Sequence, residues 1–273
     1  MQMFQPVKKK KAARRRILKD PHVGLNYPQE NVNECVESIF RAKNVLQSSD
    51  GFIALKNNLH NVSTLLQTID GEECEITSLV CYGLGSPSSN RSARYQTALL
   101  LTLRDHYNVD TDIYDPLFTS VDIAALEELK FHILENNEEG KRNVQRGTVF
   151  FMPHCGKELY NNLLWANWSP VSLPLCIIIG NSFSTIVQNI PSRILKEHYE
   201  FIYLAKGLFK EYPLETLVEY NDIFNDMSIH VISRDRLDQE ESGFWCEKCE
   251  PKYENCDVEI VRAKANVVTT KVL

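Results

Sequence analysis

The segment Ile76–Ser86, with the sequence ITSLVCYGLGS, decides how the fold is interpreted. Its first seven residues carry no charge and predict a buried strand, which the Gly-Leu-Gly-Ser turn at 83–86 ends. From Arg94 to Tyr107, apolar residues are available to the buried face of a helix. A strand, a glycine-rich turn and a helix in this order form the start of a βαβ unit, which predicts a parallel sheet.

The same alternation continues along the chain after Tyr107. Further strands are predicted at 111–114, 131–134, 148–152, 175–179 and 228–232. Helices are predicted at 123–129 and 158–168, and a helical stretch is predicted between the last two strands. The chain is therefore predicted to be an α/β protein with a Rossmann-like, mostly parallel sheet and helices on both faces.

Two amphipathic helices are predicted before the sheet, at 33–47 and 52–66, because apolar residues recur there every three or four positions. Residues 1–30 show no such rhythm and predict a disordered basic tail. We therefore expect a tail at 1–30, one α/β domain at 31–245 and a cysteine-containing C-terminal extension at 246–273. No internal repeat is visible.

Charge is distributed unevenly along the 273 residues. Residues 1–19 contain eight basic residues and no acidic one. The rest of the chain therefore has a net charge of about −14, whereas the whole chain has −6. Such a body is a poor binder of phosphate backbones, and nucleic acid is an unlikely partner except through the tail. The tail is interpreted either as a solvated segment or as a nuclear-import or contact signal.

Targeting signals and cysteines bear on the compartment. No apolar run approaches membrane-span length, and no apolar h-region follows the basic residues, so a secretory signal is not expected. The eight cysteines are therefore expected to be reduced thiols. These observations predict a cytoplasmic protein, with a nuclear fraction if the tail acts in import.

Polar residues follow several predicted strands at the edge where ligands bind in such sheets. If the first strand lies beside the fourth, the turns at 83–86 and 153–156 face each other across one crevice. The turns after the second and fifth strands flank it, and a polar side chain of the helix at 158–168 lies near its end. The candidate ligand-binding residues are Gly83, Gly85, Ser86, Asp115, His154, Cys155, Asn162 and Asn181.

The chemistry of this crevice has alternative interpretations. Asp115 stands where an acidic residue often binds a ribose hydroxyl, which favours a nucleotide-like or methyl-donor ligand, but the full dinucleotide fingerprint is absent. The turn could equally be structural. His154 and Cys155 resemble a nucleophile–base pair or haem ligands, although sequence neighbours usually point in different directions. No cofactor is identified by these residues.

A metal is not predicted. No ligand spacing supports a metal at the crevice, and Cys246, Cys249 and Cys256 provide only three thiols where a closed zinc site needs four ligands. His230 is a conceivable fourth ligand. The helix at 158–168 also places Asn161, Trp165 and Trp168 on one face, which we interpret as an aromatic stripe that covers the sheet.

Five blocks of sequence resemble the sensitivity-to-red-light-reduced (SRR-like) family. They lie between Leu79 and Trp245 and are CYGLGS at 81–86 with Ala93, Gln96 and Leu99, YDP at 114–116, FMPHC at 151–155 with LYNNLLWANW at 159–168, IGNSF at 179–183 and FNDxSxH at 224–230. The block at 159–168 is the most specific of them. The basic tail and the Cys-x-x-Cys end lie outside the resemblance.

The resemblance implies a regulatory protein of circadian-clock input and light signalling, with a link to haem biosynthesis. It transfers no catalytic residues and names no protein partner. A small-molecule enzyme or sensor that uses the crevice, and a protein-interaction module, remain as alternative hypotheses. Whether the chain is an enzyme stays open.

Overall fold

A computed structural model describes residues 29–66, 74–214, 217, 220–232, 234–246 and 249–253. Within these ranges, seven strands form one sheet in the order β3-β2-β1-β4-β5-β7-β6. The first five are parallel, whereas β7 runs antiparallel to both β5 and β6. The strands are β1 Ile76–Tyr82, β2 Thr111–Tyr114, β3 His132–Ile133, β4 Gly147–Met152, β5 Cys176–Asn181, β6 Phe209–Pro213 and β7 Met227–Ile232.

The predicted α/β class and the assumed neighbourhood of the first and fourth strands are both confirmed, because β1 pairs with β2 on one side and with β4 on the other. One prediction was wrong: β6 lies inside the stretch that was predicted to be helical. This edge strand is only partly buried and mixes charged and aromatic residues, so it lacks the apolar run that identifies central strands.

Helices cover both faces of the sheet. The face that bears Leu79, Cys81 and Phe151 packs against α1–α4 and α9, and the face that bears Val80, Phe150 and Met152 packs against α5–α8. None of the described helices is long and apolar enough to cross a membrane. The helices are α1 Gln29–Gln47, α2 Asp50–Ser63, α3 Arg91–Tyr107, α4 Ser120–Glu128, α5 Lys157–Ala166, α6 Phe183–Asn189, α7 Ser192–His198, α8 Glu200–Leu204, α9 Asn221–Phe224 and α10 Arg234–Leu237.

The helix α5 is fixed by polar side chains that each bind a different segment of the chain. The Tyr160 hydroxyl donates to the Met152 carbonyl at the end of β4 and accepts the Asn181 N–H, 2.8 Å away. Asn161 accepts the Phe201 N–H at 3.0 Å. All these groups are satisfied inside the core, so α5 and the edge of the sheet form a rigid unit.

Candidate functional site

A crevice of about 280 Å³ lies beyond the carboxyl ends of β1, β2 and β4. This is the point where the sheet order reverses, since β1 continues to β2 on one side and to β4 on the other. The turns after the first and fourth strands therefore face each other as predicted. The lining residues are Tyr82, Gly83, Tyr114, Asp115, Pro116, Leu117, Asn137, His154, Cys155, Gly156 and Leu159.

Gly83 and Cys155 form the contact between the two turns. Gly83 has φ +71°, and a Cβ atom at this position would lie 2.6 Å from the Cys155 sulfur. The thiol donates to the Tyr82 carbonyl at 3.2 Å. Burial, and next the charge of Asp115, raises the pKa of Cys155 far above its ordinary value. Cys155 is therefore a packed neutral thiol and not an activated nucleophile.

Asp115 binds the backbone of two turns, the one after β1 and its own turn after β2. One carboxylate oxygen accepts the Gly85 N–H and the other accepts the Leu117 N–H, both at 2.7 Å. Burial raises the pKa of Asp115, and these two N–H donors act against that rise. Asp115 is only 8% exposed, so its carboxylate holds the glycine turn in place instead of projecting freely into the crevice.

Several other backbone donors of the β1–α3 connection also have acceptors within the protein. The Ser88 N–H donates to Asp122 at 2.9 Å. At the start of α3, the Asn90 side chain accepts the N–H groups of Ser92 and Ala93. The Ser86 hydroxyl interacts with Ser88 and Ser89, and Ser86 is not among the lining residues. The N–H groups of Gly85, Ser88 and Ser92 thus have acceptors within the protein, at positions where dinucleotide-binding folds present free N–H groups to a phosphate.

His154 adopts a left-handed backbone conformation, with φ +51°, on the rim of the crevice. Its Nε2 donates to the Ile223 carbonyl at 2.7 Å in the tautomer that this bond requires. The Cys155 thiol has its own partner elsewhere. The structure therefore gives the two side chains separate bonds, and they do not form a nucleophile–base pair.

A charged network supports the wall that contains Tyr82. The Tyr82 hydroxyl donates to Glu138, and the Arg142 guanidinium binds both Glu138 and Asp112. His132 lies 2.7 Å from the other Asp112 oxygen. Burial alone would raise the pKa of Asp112, but the hydrogen bonds from Arg142 and His132 lower it. Asp112 is therefore a charged structural group rather than a general base.

Asn162 and Asn181 do not line the crevice. The Asn162 side chain is fully buried and donates to the Glu139 carbonyl at 2.8 Å. The Asn181 side-chain N–H donates to the Cys155 carbonyl at 3.0 Å. Its Oδ1 is buried and accepts no hydrogen bond from the described residues. Both asparagines position the turns around the crevice from behind.

Seven lining residues are absent from the candidate list, although two of them, Pro116 and Gly156, belong to turns that were predicted to border the crevice. Tyr82 and Tyr114 are the last residues of β1 and β2, and this position was a usable signal because ligands meet the ends of parallel strands. Leu117 directly follows the turn after the second strand, and Leu159 comes three residues after the turn at 153–156. Asn137 lies in the β3–β4 connection, where no periodic pattern marks any residue.

The cysteines and histidines outside the crevice form no metal centre within the described residues. Cys246 and Cys249 are exposed, and Cys256 lies outside the described ranges. His230 is fully buried in β7, where Nδ1 donates to the Ile178 carbonyl and Nε2 accepts the Phe183 N–H. Burial lowers the pKa of His230, although Glu211 and the Ile178 carbonyl act in the other direction.

Comparisons with known proteins agree with the resemblance in sequence. The chain is 39% identical over 179 residues to an SRR1-like protein of Mus musculus, which covers 63% of this chain and 70% of the mouse protein. It is 27% identical over 277 residues to an SRR1-like protein of Drosophila melanogaster, with 98% and 96% covered.

A plant relative is named for a light response. Protein SENSITIVITY TO RED LIGHT REDUCED 1 of Arabidopsis thaliana is 30% identical over 196 residues, or 69% of this chain and 70% of the plant protein. No solved structure matches the chain. The SRR1 domain matches residues 54–231, which is more than half of the chain. This protein therefore belongs to the SRR1 domain family.

Proposed function

We propose that this protein is a regulator of light and circadian-clock signalling that binds a small adenosyl ligand of the S-adenosylmethionine type. The ligand would occupy the crevice beyond β1 and β4. One observation carries the choice of ligand class: the Gly85 and Ser88 N–H groups of the β1–α3 connection are already bound, and their acceptors are the carboxylates of Asp115 and Asp122.

This observation argues against nucleotides that carry phosphates. In dinucleotide-binding folds, the pyrophosphate accepts hydrogen bonds from the glycine turn and from the following helix N-terminus. Here a phosphate would have to displace Asp115 from Gly85, and it would then lie beside a negative charge. A ligand without phosphates avoids this repulsion, and a positively charged sulfonium is attracted to the same carboxylate.

The walls of the crevice suit a flat heterocycle. Tyr114, Leu117 and Leu159 offer aromatic and aliphatic surface, and Asn137 and His154 add polar groups at the rim. A volume of about 280 Å³ matches the smallest ligand pockets, which start at about 300 Å³, and is sufficient for a nucleoside. As a fold-level analogy, strand order 3-2-1-4-5-7-6 with an antiparallel β7 is also typical of Rossmann-like methyltransferases.

The regulatory part of the proposal rests on the relatives. One of them is named for reduced sensitivity to red light, and the family resemblance implies input to the circadian clock and a link to haem biosynthesis. In this proposal the occupancy of the crevice is the signal that the protein reports. Replacing the native gene by a crevice variant should then change the period of clock-gene expression, and the haem content of the same cells tests the second link.

A thermal-unfolding series on the purified chain tests the ligand class. S-adenosylmethionine, S-adenosylhomocysteine, NAD⁺ and ATP are compared at equal ionic strength. Both adenosyl ligands should raise the melting temperature, because a ligand at one hundred times its Kd stabilises the folded state by about 2.7 kcal/mol. NAD⁺ and ATP should give no shift that Tyr114→Ala abolishes. A Tyr114-dependent shift that is larger with ATP or NAD⁺ than with the adenosyl ligands, or no shift with either adenosyl ligand, would overturn the proposal.

A pair of tyrosine variants locates the binding. Tyr114→Ala removes a lining ring and should weaken adenosyl binding by about 5- to 150-fold, since a stacked ring contributes about 1–3 kcal/mol. Tyr95→Ala is the control. Tyr95 on α3 is also half-buried, but its ring packs against that of Tyr220, with 5.3 Å between the ring centres. An equal loss of affinity in both variants would place the ligand elsewhere.

A further inference from the structure

We propose that a second cavity, between α1 and the N-terminal ends of α3 and α4, binds a small phosphate-bearing molecule through Arg94. Its volume is about 460 Å³, which exceeds that of the crevice. One side is formed by α1, which precedes the matched SRR1 domain. The lining residues are Asn31, Glu34, Cys35, Ser38, Arg41, Ser88, Arg94, Thr119 and Val121.

Arg94 distinguishes this cavity from the rest of the surface. It is half-buried, and its Nε donates to the Pro87 carbonyl at 3.3 Å. Within the described ranges, no carboxylate lies within 4.0 Å of its guanidinium, although the chain contains 36 acidic and only 30 basic residues. The neighbouring Arg91 on α3 has a carboxylate partner, Asp222, at 2.6 Å. The Nη donors of Arg94 are therefore available to a ligand.

Two acidic residues lie near Arg94, and neither forms an ion pair with it: Glu34 on the cavity wall and Asp122 beside it. Asp122 accepts the N–H groups of Ser88 and Thr119 and the Thr119 hydroxyl, at 2.7–2.9 Å, so both its oxygens are engaged. Arg41 adds a second guanidinium at the rim. Its ion pair with Glu37 is long, at 3.4 Å, and is exposed on both sides, so it contributes little and leaves Arg41 able to turn inward.

Guanidinium groups of this kind select phosphate. Arginine binds phosphate oxygens through two parallel N–H donors, and a half-buried position strengthens each hydrogen bond. The Asn31 amide and the Ser88 hydroxyl provide further donors on the same walls. A cavity of this volume has the dimensions of a metabolite pocket. We therefore assign it to a free phosphate monoester instead of a phosphorylated protein.

The Cys35 thiol on the cavity wall takes no covalent part. Burial, and next the charge of Asp122, raises the pKa of Cys35 to about 11, so the thiol stays protonated at neutral pH. The β1–α3 connection separates the cavity from the crevice, because its residue Gly83 lines the crevice and its residue Ser88 lines the cavity. Binding here is independent of whether the crevice takes an adenosyl ligand.

Calorimetric titration of the full chain at constant ionic strength tests the assignment. The probes are inorganic phosphate and glycerol 3-phosphate, with glycerol as the phosphate-free control. Saturable binding of both phosphates is expected. Arg94→Gln should weaken it about tenfold or more, because a hydrogen bond to a charged group is lost. Arg94→Lys should retain part of the affinity, and Arg91→Gln should retain all of it.

Three results would overturn the proposal. The first is the absence of saturable binding by the wild-type chain, and the second is an equal loss of affinity in Arg91→Gln and Arg94→Gln. The third is tight binding of a phosphoserine peptide without binding of glycerol 3-phosphate, which would assign the cavity to a protein partner. Urea unfolding of each variant shows whether a lost signal reflects a lost fold.

Discussion

Replacing Gly83 by alanine tests the contact between the two turns of the crevice. The new methyl group meets two separate obstacles. The backbone at residue 83 has φ +71°, a conformation that is unfavourable for an L-residue by about 1–2 kcal/mol. Its Cβ would also lie 2.6 Å from the Cys155 sulfur, and such overpacking costs about 1–3 kcal/mol. We therefore expect Gly83→Ala to lower the free energy of unfolding by about 2–5 kcal/mol, out of a typical 5–15 kcal/mol.

Gly207 separates the two contributions. It has φ +86°, and nothing lies within 4 Å of a Cβ added there, so Gly207→Ala should cost only the backbone contribution of about 1–2 kcal/mol. Combining Gly83→Ala with Cys155→Ala removes the sulfur that the methyl group meets. A double-mutant cycle should then show a favourable coupling of about 1–3 kcal/mol.

The assay is urea unfolding followed by circular dichroism. The slope m is compared among the wild type, the three single variants and the double variant. An unchanged m shows that the midpoint shifts report stability. The reasoning fails if Gly83→Ala costs no more than Gly207→Ala and the cycle shows no coupling. In that case the glycine turn and the Cys155 turn would not touch in solution, and the crevice would lack its described shape.

Three further predictions follow from single groups. Asp115→Asn leaves one backbone N–H without its carboxylate acceptor, so stability should fall by about 1–3 kcal/mol. The same substitution removes the repulsion of phosphates from the crevice, so in the Arg94→Gln background it should produce ATP binding that Arg94→Gln alone lacks, measured by titration. Burial lowers the pKa of His230 in the folded state, so the contribution of His230 to stability is complete above pH 6.5 and is lost as the pH falls toward the folded pKa. Between pH 8 and pH 5, the urea midpoint of the wild type should therefore fall more steeply than that of His230→Gln. Parallel pH profiles of the two chains would contradict this assignment. Tyr253→Phe removes a hydroxyl that binds Asn161 at 3.0 Å and Asn162 at 2.9 Å, so it should lower the free energy of unfolding by about 1–3 kcal/mol. The control is Tyr203→Phe, because Tyr203 is half-buried and its ring lies under the Lys196 ammonium. This control should lower the free energy of unfolding by less than about 0.5 kcal/mol.

Much of the fold could be predicted because its central strands are recognisable one by one. The strands β1, β4 and β5 are short, uncharged and apolar, which is the pattern of a strand covered on both faces. The edge strand β6 lacks this pattern, since only one side of it pairs and its side chains are partly exposed. Its identity depends on pairing with β7, which no local sequence signal reports.

The candidate site was predictable in position and less so in role. The strand ends placed Gly83, Asp115 and His154 around one crevice, because parallel strands end at the same edge. The spacing of Asp115 could not reveal that its carboxylate binds backbone N–H groups, since a ligand-facing and a turn-holding aspartate occupy the same sequence position. The partners of Asn162 are equally invisible, because they come from distant segments.

The position of Tyr253 has a consequence for biosynthesis. Its hydroxyl satisfies Asn161 and Asn162, which lie 92 and 91 residues earlier in the chain. During translation, α5 emerges from the ribosome long before this partner does, and two buried amides then lack their final hydrogen bond. The nascent domain should therefore remain incompletely ordered around α5 until residue 253 has left the exit tunnel, and chaperone occupancy should persist until that length is reached.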